Sequence, residues 1–230
     1  MLRNIIDKNK FTLLVSLPAN KIEYATAALE SGADGVKVHL NVHHYASNNT
    51  YGSFEEERAF LEDLSDEVKK YDKIFGLVPG EGNKYASTEE LEKLNQLGAD
   101  FISSYVEYAP AELLLNKKFD ILGALSSTTD IKPDYLNEVK TDILECSIVP
   151  QEKYRTQLTI YDLAKYSNVV KNTNKPVLIP TQKKIKPEEI VLLHDIGCKA
   201  IMLGAVVFED RNIDTYKKVI SDFRKNIDRL

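Results

Sequence analysis

A short joint that contains glycine recurs three times in the sequence. It reads GADG at residues 32–35, GAD at 98–100 and GCKA at 197–200, and each copy separates a helical pattern from an apolar run. Glycine supplies the left-handed backbone that ends a helix, and a small residue after it lets the chain enter a buried strand at once. The repeated joint predicts a fold assembled from successive helix-to-strand steps, with parallel strands.

Strand and helix patterns alternate along the whole chain. Eight apolar runs have strand character, at residues 12–17, 35–40, 74–78, 101–105, 120–125, 143–148, 177–179 and 200–203. The segments between them carry apolar residues at helical spacing. Eight βα units of about 28 residues each predict a closed (β/α)8 TIM barrel of eight parallel strands. An open doubly wound α/β sheet is the alternative, but no GxGxxG turn follows the first strand.

Size and charge limit the classes of protein that fit. A chain of 230 residues, 43% of them hydrophobic, suffices for one substantial core, and nothing in it marks a linker. We therefore predict a single domain over residues 1–230. The formal charge of −5, with lysines interleaved among acidic residues, argues against a nucleic-acid partner.

Cysteine use and the apolar runs bear on the compartment. Two cysteines occur, Cys146 and Cys198, each in or beside a predicted buried strand. No charged and then apolar leader is seen at residues 1–4, and no apolar run approaches the ~20 residues that cross a bilayer. These features predict a cytoplasmic protein without a membrane partner.

Two of the predicted strands carry polar residues at every second position. Lys37, His39 and Asn41 alternate with valine and leucine in the second strand, and Glu145 and Ser147 alternate with apolar residues in the sixth. Side chains of a barrel strand alternate between the helices and the lumen, so the polar set should line the interior. The residues predicted to bind substrate there are Ser16, Asn41, Tyr105, Glu107 and Ser147.

A carboxylate, an amine and an imidazole inside one barrel mouth suit proton transfer next to a carbonyl group. In this interpretation Glu145 removes the proton, Lys37 stabilises the developing oxyanion, and His39 is an acid or an orienting partner. Lys37 alternatively acts as an amine nucleophile that forms a Schiff base. The structural alternative is a Lys37–Glu145 ion pair that only neutralises two charges in the lumen.

The ends of the last two strands predict a site for an anion. Thr181, Gln182 and Lys183 follow the seventh strand, and Gly204 and Ala205 follow the eighth. Many TIM barrels bind phosphate at these two strand ends, through backbone N–H groups and the N-terminus of a short helix. We predict that these five residues bind phosphate. The alternative is that the lysines of this loop are surface charges and the glycine serves packing.

A long loop after the second strand, residues 41–52, contains His43 and His44 and has the composition of a lid over a ligand. It ends at Ser53 and Glu56, the S-x-x-E pattern of a capping box. Histidines of this region, with Glu145 or Glu107, match no compact metal site. We therefore predict no metal and no organic cofactor.

Several segments of the chain resemble the ribulose-phosphate-binding (β/α)8 barrel superfamily. They are SLPAN, SGADGVKVHLN, IFGLVPG, LGADFISSY and KPVLIP followed by KPEEIVLLHDIGCKAIMLGAVVF. Within that superfamily the chain is similar, over its whole length, to N-acetylmannosamine-6-phosphate 2-epimerases. The resemblance implies that Gly204 and Ala205 belong to a phosphate cradle and that Lys37 is an inward basic residue. The chain departs from the epimerase pattern at Pro79, where the family has a lysine, and after the seventh strand, where the family has an acidic residue followed by glycine.

The sequence thus predicts an isomerase, epimerase or lyase that acts on a small phosphorylated sugar or keto acid. Two other classes stay open: a non-catalytic barrel that binds a phosphorylated ligand, and a metal-dependent hydrolase built on His39, Glu107 and Glu145. The expected partner is a small phosphorylated metabolite. Association into a homo-oligomer also stays open.

Overall fold

The computed structural model describes residues 1–82, 84–208, 210 and 212–230. Its eight parallel strands are β1 Thr12–Ser16, β2 Gly35–His39, β3 Ile74–Val78, β4 Phe101–Tyr105, β5 Asp120–Ser126, β6 Ile143–Ser147, β7 Val177–Pro180 and β8 Ala200–Leu203. They close into a barrel in the order β1-β8-β7-β6-β5-β4-β3-β2. The predicted TIM barrel is therefore confirmed, and every strand lies within one residue of its predicted bounds.

The α-helices that surround or close this barrel are α1 Leu2–Lys8, α2 Ile22–Glu30, α3 Phe54–Lys70, α4 Thr88–Gln96, α5 Ile160–Lys171, α6 Ile190–Asp195 and α7 Ile213–Ile227. Helix α3 begins with the predicted capping box, in which Ser53 N donates a 2.7 Å hydrogen bond to the Glu56 carboxylate. The repeated joints end α2, α4 and α6, and their glycines have φ of 98°, 90° and 95°. Within the described part of the chain, no helix has the length and apolar character needed to cross a membrane.

Two βα units depart from the expected pattern of one α-helix per strand. Only a 3-10 helix, Ala111–Leu115, follows β4, and another, Pro133–Leu136, follows β5. These two connections, residues 106–119 and 127–142, are shorter than the connections that carry an α-helix. The thin cover leaves a cavity of about 400 Å³ outside the barrel wall, lined in part by Val106 and Leu113.

The lumen changes from apolar to polar along the strands. At the N-terminal end of the strands, Leu14, Ile74 and Phe101 belong to an apolar cluster that also includes Leu2 and Ile6 of α1. Helix α1 thus closes the bottom of the barrel, where its Arg3 N donates a 2.7 Å hydrogen bond to an aspartate at the start of β5. Polar side chains line the opposite end of the lumen, so the barrel has one polar mouth, at the C-terminal ends of the strands.

Candidate active site

A cavity of about 200 Å³ opens at the C-terminal ends of the strands. It brings together ten of the thirteen residues that the sequence predicts for the site: Ser16, Lys37, His39, Tyr105, Glu145, Ser147, Thr181, Gln182, Gly204 and Ala205. These come from six strands or the loops that follow them. The orientation predicted for β2 and β6 is therefore observed: Lys37 and His39 of β2, and Glu145 and Ser147 of β6, face the same lumen.

Lys37, Ser103 and Glu145 form the centre of this mouth cavity. Lys37 Nζ lies 3.5 Å from Glu145 Oε1 and 3.4 Å from Ser103 Oγ, and Ser103 donates a 2.7 Å hydrogen bond to Glu145 Oε2. Ser147 donates a 3.1 Å hydrogen bond to Glu145 Oε1. Lys37 is 6% and Glu145 4% exposed. Hydrogen bonds to both of its oxygens fix the carboxylate beside a cation, at a depth where water screens the charges little.

Three predicted site residues do not line the mouth cavity. Asn41 donates a hydrogen bond of 3.2 Å to Pro79 O, and so ties the loop after β2 to the loop after β3. Glu107 accepts a 2.7 Å hydrogen bond from Ser126 Oγ and lines the cavity outside the barrel wall. Lys183 is buried, with its Nζ 3.1 Å from Asp162 Oδ2. The structure gives each of the three a partner within the protein.

The loops after β6 and β7 are held together by Gln182. Its Oε1 accepts a 3.0 Å hydrogen bond from Val149 N, while its Nε2 donates to Ser147 O and to Tyr154 Oη at 3.1 and 2.6 Å. Nearby, Thr181 Oγ1 accepts a 2.8 Å hydrogen bond from Gly204 N, which links the loops after β7 and β8. Both side chains therefore shape this side of the mouth through contacts within the protein.

The loop after β2 folds over the mouth as a hairpin, which we call the lid, residues 43–50. Its two short strands are His43–His44 and Asn49–Thr50. The His44 ring lies 4.4 Å from the His39 ring, measured between centroids, and the Tyr51 ring stacks on His39 at 4.9 Å. The Tyr51 hydroxyl donates a 3.1 Å hydrogen bond to Pro18 O. The lid thus rests on a stack of aromatic rings that includes a predicted catalytic residue.

The surroundings of His39 favour the neutral form of its imidazole. Burial lowers its pKa well below the usual value, and nearby His44 and Lys37 lower it further. Its Nδ1 is buried and has no hydrogen-bond partner within the ranges described. A charged imidazolium acid is disfavoured here, so the orienting role that the sequence left open suits His39 better.

Low pH is expected to loosen the lid. Burial lowers the pKa of His44 from 6.5 to about 4, with Lys37 and His43 adding to the shift. When the lid opens or unfolds, the His44 imidazole binds a proton that the closed lid excludes. The free energy that favours closure therefore decreases as pH falls from about 6.5 to 4. At pH 5 the decrease is about 2 kcal/mol. Hydrogen exchange of residues 43–50, corrected for intrinsic rates, measures this. His44→Gln should flatten the dependence, and equal pH dependence in both proteins contradicts the prediction.

Tyr105 supplies a neutral proton donor across the mouth. Burial raises the pKa of its hydroxyl well above the usual range, and nearby Tyr154 and Glu145 raise it further. The phenol consequently keeps its proton at any physiological pH. A carboxylate, an ammonium group and a neutral phenol can then act on one small ligand.

Sequence reasoning left Ser103 undecided and missed two tyrosines that complete the mouth. Strand β4 has a serine at each parity, so alternation alone does not orient Ser103. The structure decides its orientation, because Phe101 lies in the lumen cluster and Ile102 in the cluster under the helices. Tyr154 and Tyr108 come from loops, where no periodic pattern indicates orientation. Among the described residues, no group of three or more His, Cys, Asp or Glu is arranged as metal ligands.

No family model matches the sequence, and no curated protein matches it. Solved structures do match. A thiamine phosphate pyrophosphorylase from Pyrococcus furiosus is 17% identical, with a TM-score of 0.67 over 100% of this chain and 98% of that chain. A tryptophan synthase from M. tuberculosis, in an open form with BRD0059 bound, is 11% identical with a TM-score of 0.71, over 97% of both chains. A native KDPGal structure is 12% identical with a TM-score of 0.64, over 97% of this chain and 98% of that chain.

These structures place the chain among the TIM-barrel proteins. At such identities the likeness shows the fold alone. The similarity to N-acetylmannosamine-6-phosphate 2-epimerases accordingly stays a prediction from the sequence.

Proposed function

We propose that this protein is an isomerase, epimerase or lyase that acts on a small phosphorylated sugar or keto acid without an organic cofactor. The observation that carries the proposal is the buried group of Lys37, Ser103 and Glu145 at the base of the mouth cavity. Burying an ion pair costs desolvation energy, so such a pair adds little to the stability of the fold. Its position at the C-terminal face, where TIM barrels have their active sites, therefore favours a role in binding or catalysis.

The chemistry follows from the positions of these groups. Glu145 removes a proton from the carbon next to a carbonyl group, and the Lys37 ammonium stabilises the negative charge that develops on the carbonyl oxygen. Ser103 holds the carboxylate in one orientation through its 2.7 Å hydrogen bond. Tyr105 can return a proton from another direction. The lid limits access of water to the enolate.

The size of the mouth supports a small substrate. A cavity of about 200 Å³ is below the range of about 300–1,000 Å³ that is usual for drug-sized ligands. Phosphate as part of the substrate is supported by the predicted site after β7 and β8, and by a structural neighbour whose name includes thiamine phosphate. Homo-oligomer formation stays a prediction.

Exchange of substrate hydrogen with solvent tests the proposed reaction class. The protein is incubated in D2O with a panel of sugar phosphates and 2-keto acids, and deuterium at the carbon next to the carbonyl is followed by NMR. We expect catalysed incorporation with at least one member. Binding without deuterium incorporation or product formation across the panel would instead support the non-catalytic barrel. The observation that favours this alternative is the Lys37–Glu145 ion pair, in which the two charges neutralise each other.

Borohydride distinguishes the two proposed roles of Lys37. If Lys37 acts as a nucleophile, reduction in the presence of a carbonyl substrate joins the substrate carbon to Nζ, and mass spectrometry finds the added mass on the peptide that contains Lys37. We expect no such adduct, because the ammonium is already engaged by Glu145 and Ser103. An adduct at Lys37 would assign a Schiff-base lyase in place of an enolising isomerase.

A further inference from the structure

Arg155 joins three loops at the rim of the mouth cavity. It follows β6 and the short 3-10 helix Gln151–Lys153, and its backbone has a φ of 62°. In that left-handed conformation its N–H donates a 3.1 Å hydrogen bond to Gln182 O, in the loop after β7. A non-glycine residue in this region of φ is uncommon and costs conformational energy, so the surrounding contacts must hold it there.

The Arg155 guanidinium connects the lid with the loop after β8. Its Nη2 donates a 2.6 Å hydrogen bond to Ala46 O in the lid, and its Nη1 donates a 3.2 Å hydrogen bond to Ala205 O. Both alanines line the mouth cavity. The guanidinium is therefore located where the lid meets the predicted phosphate site.

Arg155 is exposed, and its guanidinium contacts two carbonyl oxygens; among the described residues no carboxylate lies within 4 Å of it. The two buried lysines differ from it, since Lys37 pairs with Glu145 and Lys183 pairs with Asp162. A guanidinium has five N–H donors, and the two carbonyl oxygens use two of them. Neutral carbonyls are weaker partners for this cation than the oxygens of a phosphate group, which match its planar fork.

We propose that Arg155 is the specificity-determining residue that binds the phosphate group of the ligand and holds the lid closed over it. Its remaining donors bind the phosphate oxygens, while the bonds to Ala46 and Ala205 keep the lid and the loop after β8 in place. Anion binding and lid closure are then coupled through one side chain. The inference depends on the proposed function for the nature of the substrate, but phosphate binding itself requires no turnover.

Calorimetric titration with inorganic phosphate tests the binding role. Arg155→Gln should weaken phosphate binding about 10- to 100-fold, the loss expected when hydrogen bonds to a charged group are removed. Arg155→Lys keeps the charge but not the fork, and should recover only part of the affinity. The matched control is Lys153→Gln, which removes one positive charge from an exposed position in the same loop and should leave affinity unchanged. An unaltered affinity in Arg155→Gln, or wild-type protein that fails to bind phosphate, overturns the proposal.

Hydrogen exchange of residues 43–50 tests the coupling to the lid. Phosphate should slow exchange there in wild-type protein and in Lys153→Gln, and should have no effect in Arg155→Gln. A phosphate effect that survives in Arg155→Gln contradicts the coupling.

Glu145→Gln separates this inference from the proposed function. If Glu145→Gln binds phosphate normally and the wild type turns over no substrate, Arg155 keeps its assignment while the enzyme proposal fails. If turnover depends on Glu145 while Arg155→Gln leaves KM unchanged, the enzyme proposal stands and the assignment of Arg155 is wrong.

Discussion

Glu145→Gln is expected to lower catalysed deuterium incorporation by about 10²- to 10⁴-fold, the usual contribution of a positioned general base. The amide is nearly the same shape as the carboxylate. Its single oxygen can still accept a hydrogen bond from Lys37, and its NH2 group can donate one to the Ser103 hydroxyl. It cannot take a proton from carbon. The loss should therefore appear in kcat, with inorganic phosphate binding retained.

A surface carboxylate in a nearby loop provides the control for this experiment. Glu152 lies in the 3-10 helix after β6 and is exposed, so Glu152→Gln makes the same chemical change without entering the mouth. It should leave deuterium incorporation within a factor of about two, in keeping with the small effects of surface substitutions. Turnover by Glu145→Gln at the wild-type rate would show that another group is the base.

The barrel and its polar interior were predictable because short-range rules decide them. The alternation of Lys37 and His39 with valines assigns one face of β2, and Glu145 and Ser147 do the same for β6. Strand parity has a period of two, so a single burial argument orients a whole strand. The glycine joints likewise fix where helices end, since their φ values are strained for other residues.

The loop residues were less predictable because their partners are distant in sequence. Lys183 was expected at the phosphate site, but it pairs with Asp162, a residue of the first turn of α5 that no local pattern connects with it. Glu107 was expected in the lumen, yet it lies just beyond β4, where strand parity no longer applies. Arg155 carried no signal, because its importance depends on a left-handed backbone and on two carbonyls from other loops.

Because Lys183 pairs with Asp162, Arg155 replaces it as the cation of the proposed phosphate site. The five residues predicted for phosphate still include Gly204 and Ala205 at the cavity wall, but the side chains of Thr181 and Gln182 are occupied in tying the loops together. Their effect on a ligand is then to hold the loops after β6, β7 and β8 in one arrangement. Positioning of this kind needs rigid support around the residues that touch the ligand.

Lys37→Met is expected to destabilise the protein by about 3 kcal/mol or more, because it leaves the Glu145 carboxylate buried without a compensating charge. The double variant Lys37→Met with Glu145→Leu removes both charges. It should be more stable than Lys37→Met, since a buried ion pair and an apolar pair of similar volume are often nearly equivalent, although Ser103 and Ser147 lose the acceptor of their hydrogen bonds. Urea unfolding of the three proteins at pH 7 measures the difference.

An exposed ion pair shows why burial, rather than distance, sets this effect. Lys217 Nζ lies 2.7 Å from Glu30 Oε2, which is closer than the 3.5 Å between Lys37 Nζ and Glu145 Oε1. The side chains of Lys217 and Glu30 are, however, both more than 40% exposed. Solvent screens such a pair, so Lys217→Met should leave the urea midpoint almost unchanged. If Lys37→Met and the double variant were equally destabilised, the cost would come from lost packing around Lys37. The two charges would then not be coupled, and the electrostatic basis of the proposed active site would fail.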